Sequence, residues 1–198
     1  MPRYIGAPSV NQGIDWVEIA SQKATGVSSI SFIAGSNGVI FDSTFNEYKF
    51  EYSSIHPATD AKDFTFQGTI DGGSNFNVAI QSGTWATSHD EAGSATSFAY
   101  DGDGDQALGT AYQQISDEVG NGADESVSGE LILYVPHSTT YVKHIIANSI
   151  CYRSDNYVVN YTTSGYFNTT TAVNGVNFKF ASGNIDEGII TMYGLSMP

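Results

Sequence analysis

The sequence predicts an all-β protein, an antiparallel β-sandwich of jelly-roll-like architecture with an extended N-terminal arm, and three observations carry that prediction. Polarity alternates with a period of two, most cleanly in Tyr48-Lys49-Phe50-Glu51-Tyr52 and Val176-Asn177-Phe178-Lys179-Phe180, the pattern of a strand with one buried face. The chain holds 12 Tyr, 11 Phe and 21 Gly while only 14% of its residues are charged, a balance that suits pleated surfaces and tight turns. Segments rich in aromatic and β-branched residues also follow one another at short intervals with no long helical pattern between them. That spacing excludes a parallel α/β sheet.

Taken in order, residues 1–13 contain Pro2, Gly6, Pro8 and Gly13 without alternation and are expected to form the arm, docking through Tyr4, Ile5 and Val10. Residues 14–198 are expected to form one sandwich domain. Its first strands are Ile14 to Ala20 and Ser29 to Ala34, the latter closed by the turn residues Ser36-Asn37-Gly38. Tyr48 to Tyr52 and Phe64 to Ile70 follow. Asp71-Gly72-Gly73-Ser74 then reads as the turn of a hairpin leading into Phe76 to Gln81. Residues 83–129 lack a clean pattern and are expected to be irregular. Within them Leu108, Tyr112 and Ile115 share a helical face, so Ala107 to Asp117 is the one helix candidate. Strands resume at Glu130 to Val135, Val142 to Tyr152, Tyr157 to Thr162, Val176 to Phe180 and Ile189 to Tyr193. The expected core includes Trp16, Phe32, Phe50, Phe66, Val78, Leu131, Leu133, Phe178, Phe180 and Met192.

The formal charge is −14, and between Lys62 and Lys143 there is no Lys or Arg at all. Such a surface repels phosphate backbones and anionic headgroups, so neither nucleic acid nor a membrane is expected as partner. No apolar run reaches the roughly 18 residues of a membrane span, and no secretory apolar stretch follows Met1-Pro2-Arg3-Tyr4. The single cysteine, Cys151, allows no internal disulfide. The four histidines, His56, His89, His137 and His144, lack metal-ligand spacing.

Asp101-Gly102-Asp103-Gly104-Asp105 is the sharpest local motif, because alternating carboxylates on a flexible backbone can converge on a hard cation such as Ca²⁺. It departs from the EF-hand loop, with Gln106 where that loop has Gly and Tyr112 where it has its bidentate Glu. Solvated loop carboxylates are the plainer reading. For acyl transfer a Gly-x-Ser-x-Gly elbow is missing, and Ser88-His89-Asp90-Glu91 places the right residue types side by side without triad geometry. No catalytic residues and no required cofactor are expected, and the chain is read as a non-enzyme. Asn160-Tyr161-Thr162 and Asn168-Thr169-Thr170 read as polar β residues. Tyr152, Tyr157, Tyr161 and Tyr166 crowd one stretch, where rings with a polar tip suit a protein interface, a sugar platform or the rim of the core.

Several segments, in their order along the chain, resemble a family of tailed-bacteriophage virion proteins common in marine and cyanobacterial phages. They are Ile14-Asp15-Trp16-Val17-Glu18-Ile19-Ala20, Tyr48-Lys49-Phe50, Ile55-His56-Pro57-Ala58-Thr59-Asp60, Phe64-Thr65-Phe66-Gln67, Asp71-Gly72-Gly73-Ser74, Ser138-Thr139-Thr140-Tyr141-Val142-Lys143-His144, Gly165-Tyr166-Phe167-Asn168-Thr169-Thr170, Phe178-Lys179-Phe180-Ala181-Ser182-Gly183-Asn184-Ile185 and Ile190-Thr191-Met192-Tyr193-Gly194. The resemblance spans about residues 14–195 and carries no catalytic signature. It implies a β-sandwich subunit of the virion, made in the host cytoplasm, either a capsid decoration (cement) protein or a tail component. As a decoration protein it would stabilise the head as a homotrimer, with the major capsid protein or other virion subunits as partners, since three-fold association suits the three-fold positions of a shell. The alternative is a tail-fibre or tail-tip adhesion module that binds host-surface carbohydrate.

Overall fold

The computed structural model describes residues 15–196, so the expected arm with Tyr4, Ile5 and Val10 lies outside the described residues, as does Ile14. The strands are β1 (Asp15–Lys23), β2 (Ile30–Ile33), β3 (Glu47–Pro57), β4 (Phe64–Thr69), β5 (Ile80–Asp90), β6 (Thr96–Tyr100) and β7 (Ala107–Gly109). They continue with β8 (Gln113–Gln114), β9 (Val127–Tyr134), β10 (Lys143–Tyr152), β11 (Tyr157–Phe167), β12 (Gly175–Phe180) and β13 (Ile185–Ser196). No helix occurs among the described residues. The protein is an all-β, antiparallel sandwich of a 9-stranded and a 4-stranded sheet. The large sheet runs β1-β13-β3-β9-β10-β11-β5-β6, with β7 also paired to β5, and the small one runs β2-β12-β4-β8.

Period-two alternation decides which face of each strand is buried. In β10, Lys143, Ile145, Ala147, Ser149 and Cys151 point inward while His144, Ile146, Asn148 and Ile150 are exposed. In β3, Tyr48, Phe50 and Tyr52 are the inward residues. Aromatic rings join the two layers: Phe50 of β3 lies 5.4 Å from both Phe32 of β2 and Phe178 of β12, and Tyr52 lies 5.4 Å from Phe64 of β4. Edge-to-face and offset arrangements of this kind add to the stabilisation from burial alone. The expected core residues are buried with one exception. Trp16 is only partly buried, because β1 is an edge strand and its indole faces outward beneath the Lys49 ammonium, 4.9 Å from the ring centroid.

Four expectations are corrected. Residues 107–117 form no helix but the short strands β7 and β8, because Gln113 serves as a buried hydrogen-bonding residue against the sandwich. Residues 83–129 are far from structureless, since β5 continues to Asp90 and β6, β7 and β8 follow. Gly83, Ser88 and His89 obscured the alternation without preventing strand pairing. Asp71-Gly72-Gly73-Ser74 is not a hairpin turn, because β4 belongs to the small sheet and β5 to the large one. Asp71 instead organises a crossover, accepting from the Thr69 hydroxyl at 2.7 Å, the Asn75 amide at 2.9 Å and Asn75 Nδ2 at 2.7 Å. The strand expected from Phe76 begins only at Ile80.

A paired irregularity shapes the far end of β3 and β13. Ser54 adopts φ 51° and Gly188 φ 120°, each within a break of the strand register. A Cβ at Gly188 would lie 2.7 Å from the Ser54 carbonyl oxygen, so glycine is required there.

Candidate functional site

The acidic motif follows β6 directly, and its carboxylates are spoken for separately. Asp101 Oδ2 accepts a hydrogen bond from the Tyr161 hydroxyl at 2.6 Å, while its Oδ1 accepts the backbone amide of Asp103 at 3.1 Å. Asp105 accepts from the Tyr100 hydroxyl. The turn is tied further to the core: Gln113 Nε2 donates to Gly104 O at 2.7 Å, Ser82 Oγ donates to Gln113 Oε1 at 2.7 Å, and the Gln106 amide donates to Ser82 Oγ at 2.9 Å. Among the described residues no group of three or more His, Cys, Asp or Glu side chains is gathered to hold a metal ion. As it stands the motif is an Asx-type turn pinned by a buried network.

The four tyrosines do not share one surface. Tyr161 is buried, and burial followed by the Asp101 contact raises its pKa. Tyr152 and Tyr157 sit at one end of the β10–β11 ladder, where the Arg153 guanidinium lies 5.3 Å over the Tyr157 ring. Arg153 is itself held by Asp117 at 2.7 Å and by Asp155 at 2.5 Å. Tyr166 stands nine residues further along β11, roughly 30 Å away at strand rise, with its ring edge against His144. Crowding in sequence became separation in space because a strand is fully extended.

Two features escaped the sequence reading. The first is β6. It is the last strand of the large sheet, every one of its five residues is exposed, and it carries no charge. Phe98 is 77% and Tyr100 63% exposed, and Tyr100 lies directly across from Trp85 of β5. The opposite edge, β1, is built differently, with Asp15, Glu18 and Lys23 along it. Charges on an edge strand discourage another chain from pairing with it, and β6 lacks that protection. The alternation that would reveal β6 is only Phe98 and Tyr100, too short to register.

The second feature is a groove of about 740 Å³ on the exposed face of the large sheet, lined by residues of β3, β9, β10, β11 and β13. Register places Thr191, Glu51, Glu130, Asn148 and Thr162 in one row across it. A smaller depression of about 440 Å³ adjoins it at Ser128 and Ile150. Each of these residues is an outward position of its own strand, and only strand pairing assembles them. Compared with protein-family models, with curated proteins and with solved structures, the chain matches none, so the residues and their geometry carry the functional argument.

Proposed function

We propose that the chain is a structural subunit of a bacteriophage particle, a capsid decoration protein that reinforces the head, and that β6 with Trp85 forms its contact surface. The edge at β6, free of any partner strand among the described residues, carries this reading. An uncharged strand, exposed on both faces and presenting Phe98 and Tyr100, leaves backbone donors and acceptors and aromatic area for a neighbouring subunit to cover. The acidic residues Asp101, Asp103 and Asp105 follow at once and form a charged rim, which a basic patch on the shell would complement. Sequence segments that resemble phage virion proteins support the same reading.

The topology supports a jelly-roll assignment. Strands β1, β13, β3 and β9 lie side by side in the large sheet, and β2, β12, β4 and β8 in the small one. The chain thus alternates between layers through β1 to β4 and returns each late strand beside an early one, as two interleaved Greek keys do. Strands β5, β6, β10 and β11 widen the large sheet beyond that frame. A contact from one copy's edge to a different surface of the next closes into a ring of three when the rotation per step is a third of a turn, which suits a homotrimer.

Mixing purified protein with undecorated heads and sedimenting them tests the proposal. Co-sedimentation that saturates at a fixed ratio per shell subunit is expected, as is its loss in the double variant Phe98→Ser, Tyr100→Ser with an unchanged circular dichroism spectrum. Indifference to heads combined with saturable binding to host cells would favour the tail adhesion module instead.

A further inference from the structure

We propose that the groove across the exposed face of the large sheet is a binding site for a neutral oligosaccharide. The inference goes beyond the assembly reading and does not depend on β6. The groove is open to solvent and has a volume of about 740 Å³, with polar and apolar groups both along it, so an extended ligand lying across the strands suits it better than a small enclosed one.

Its polar groups are already positioned. Asn160 Nδ2 donates to Asn148 Oδ1 at 2.9 Å and to Ser149 O at 3.1 Å, and the Thr162 hydroxyl donates to the same Asn148 oxygen at 3.2 Å. Those bonds fix the Asn148 amide with its oxygen engaged. Its Nδ2 has no protein acceptor among the described residues, so two N–H donors remain for a ligand. Beside it Glu130 is paired in register with Asn148 on one side and with Glu51 on the other. Like charges facing each other across strands destabilise a sheet, and among the described residues the one ion pair in reach is Lys49 with Glu51 at 3.5 Å. The facing carboxylates of Glu51 and Glu130 supply strong acceptors at a place where their mutual repulsion opposes strand pairing.

A sugar hydroxyl both donates and accepts, and therefore matches carboxylate acceptors set beside an amide donor. Apolar faces of separate rings along an extended oligosaccharide find Ile189, 41% exposed, on β13 and Ile150, 53% exposed, three strands away on β10, with the Tyr193 ring, beneath the Lys49 ammonium, further along β13. Other ligand classes fit less well. Sulfated or phosphorylated polymers meet Glu51 and Glu130 of a chain with net charge −14. A peptide could not add as a strand, because β3, β9, β10, β11 and β13 are each already paired on both sides.

The test applies the full chain to an array of neutral gluco-, galacto- and manno-oligosaccharides with heparin alongside, followed by titration calorimetry of the best binder. Saturable binding of a neutral glycan at up to millimolar concentration is expected, with none to heparin. Glu130→Gln and Asn148→Ala should each weaken it by about tenfold or more, the loss of roughly one charge-assisted or directed hydrogen bond. The thermal midpoint of Glu130→Gln should not fall, since that change relieves the facing charges. The Phe98→Ser, Tyr100→Ser variant should bind the glycan normally, which separates failure of this site from failure of the assembly surface. Absence of saturable binding to any arrayed neutral glycan, or an affinity unchanged in either groove variant, overturns the proposal.

Discussion

At the scale of single residues, buried polar groups decide what the acidic motif does. Tyr161 is 1% exposed and spends its hydroxyl on Asp101. Tyr161→Phe should therefore lower the unfolding free energy in urea by about 1.5–3 kcal/mol, the usual worth of a hydrogen bond to a charged group. Asp103 is exposed and, unlike those of Asp101 and Asp105, its carboxylate has no side-chain partner among the described residues. If the turn also takes Ca²⁺, millimolar Ca²⁺ raises the thermal midpoint and Asp103→Asn removes that rise. An unchanged midpoint leaves the turn a purely structural device. Asp71 gives a pH signature. Its carboxyl is held down to about 2, first by the Asn75 side chain and then by Thr69. A depressed carboxyl stabilises the fold above its ordinary value of 3.8, and that contribution disappears as pH falls toward about 2. Asp71→Asn should flatten the thermal midpoint against pH over that interval, with no change in slope near pH 7. Lys143 shows the same economy of buried polarity: fully buried, it donates to the carbonyls of Tyr141 at 2.8 Å and Thr169 at 3.1 Å, and desolvation lowers its pKa.

At the scale of elements, the central strands hold the sandwich together and the added strands present surface. Phe178 in the middle of β12 packs against Phe50 at 5.4 Å, Phe64 at 5.9 Å and Phe66 at 6.4 Å. Phe178→Ala should cost about 3–5 kcal/mol by denaturant titration, since strands on both layers would have to collapse into the void. Val17→Thr on the edge strand β1, where the side chain is 45% exposed, should stay within about 0.5 kcal/mol. A cost below about 1 kcal/mol at Phe178 would mean that the two sheets are not joined through this cluster. Strands β3 and β10 were legible because their alternation is long and regular. Strand β5 was not, because Gly83, Thr84, Ser88 and His89 fill it with residues whose burial depends on the neighbouring strands.

For the molecule as a whole, the first and last described strands are partners: Asp15 pairs with Ser196 and Lys23 with Ile189. Strand β13 also pairs with β3, so it joins the start of the chain to the middle of the large sheet. A chain ending before Ile185 should fail to give a cooperative thermal transition, whereas deletion of residues 1–13 should leave the β-dominated circular dichroism spectrum and the midpoint unchanged. Equal loss in both would show that the arm belongs to the folding unit. Pairing between residues so far apart in sequence also places folding among slow, non-local topologies.

Composition and period by themselves determined the fold class and the aromatic centre of the core, Phe32, Phe50, Phe66, Phe178 and Phe180, because burial of alternate side chains is a local property of a sequence. The placement of Asp101, Asp103 and Asp105 in a glycine-bearing acidic turn was equally plain. Which partner each carboxylate takes was not, since Tyr161 lies 60 residues from Asp101 in sequence. Only the tertiary structure separated Tyr166 from Tyr157, left the outer edge of β6 without a partner strand among the described residues and set Glu51, Glu130 and Asn148 in one row. Strand order and register bring together residues that no local pattern connects, and both surfaces proposed to bind are products of that order.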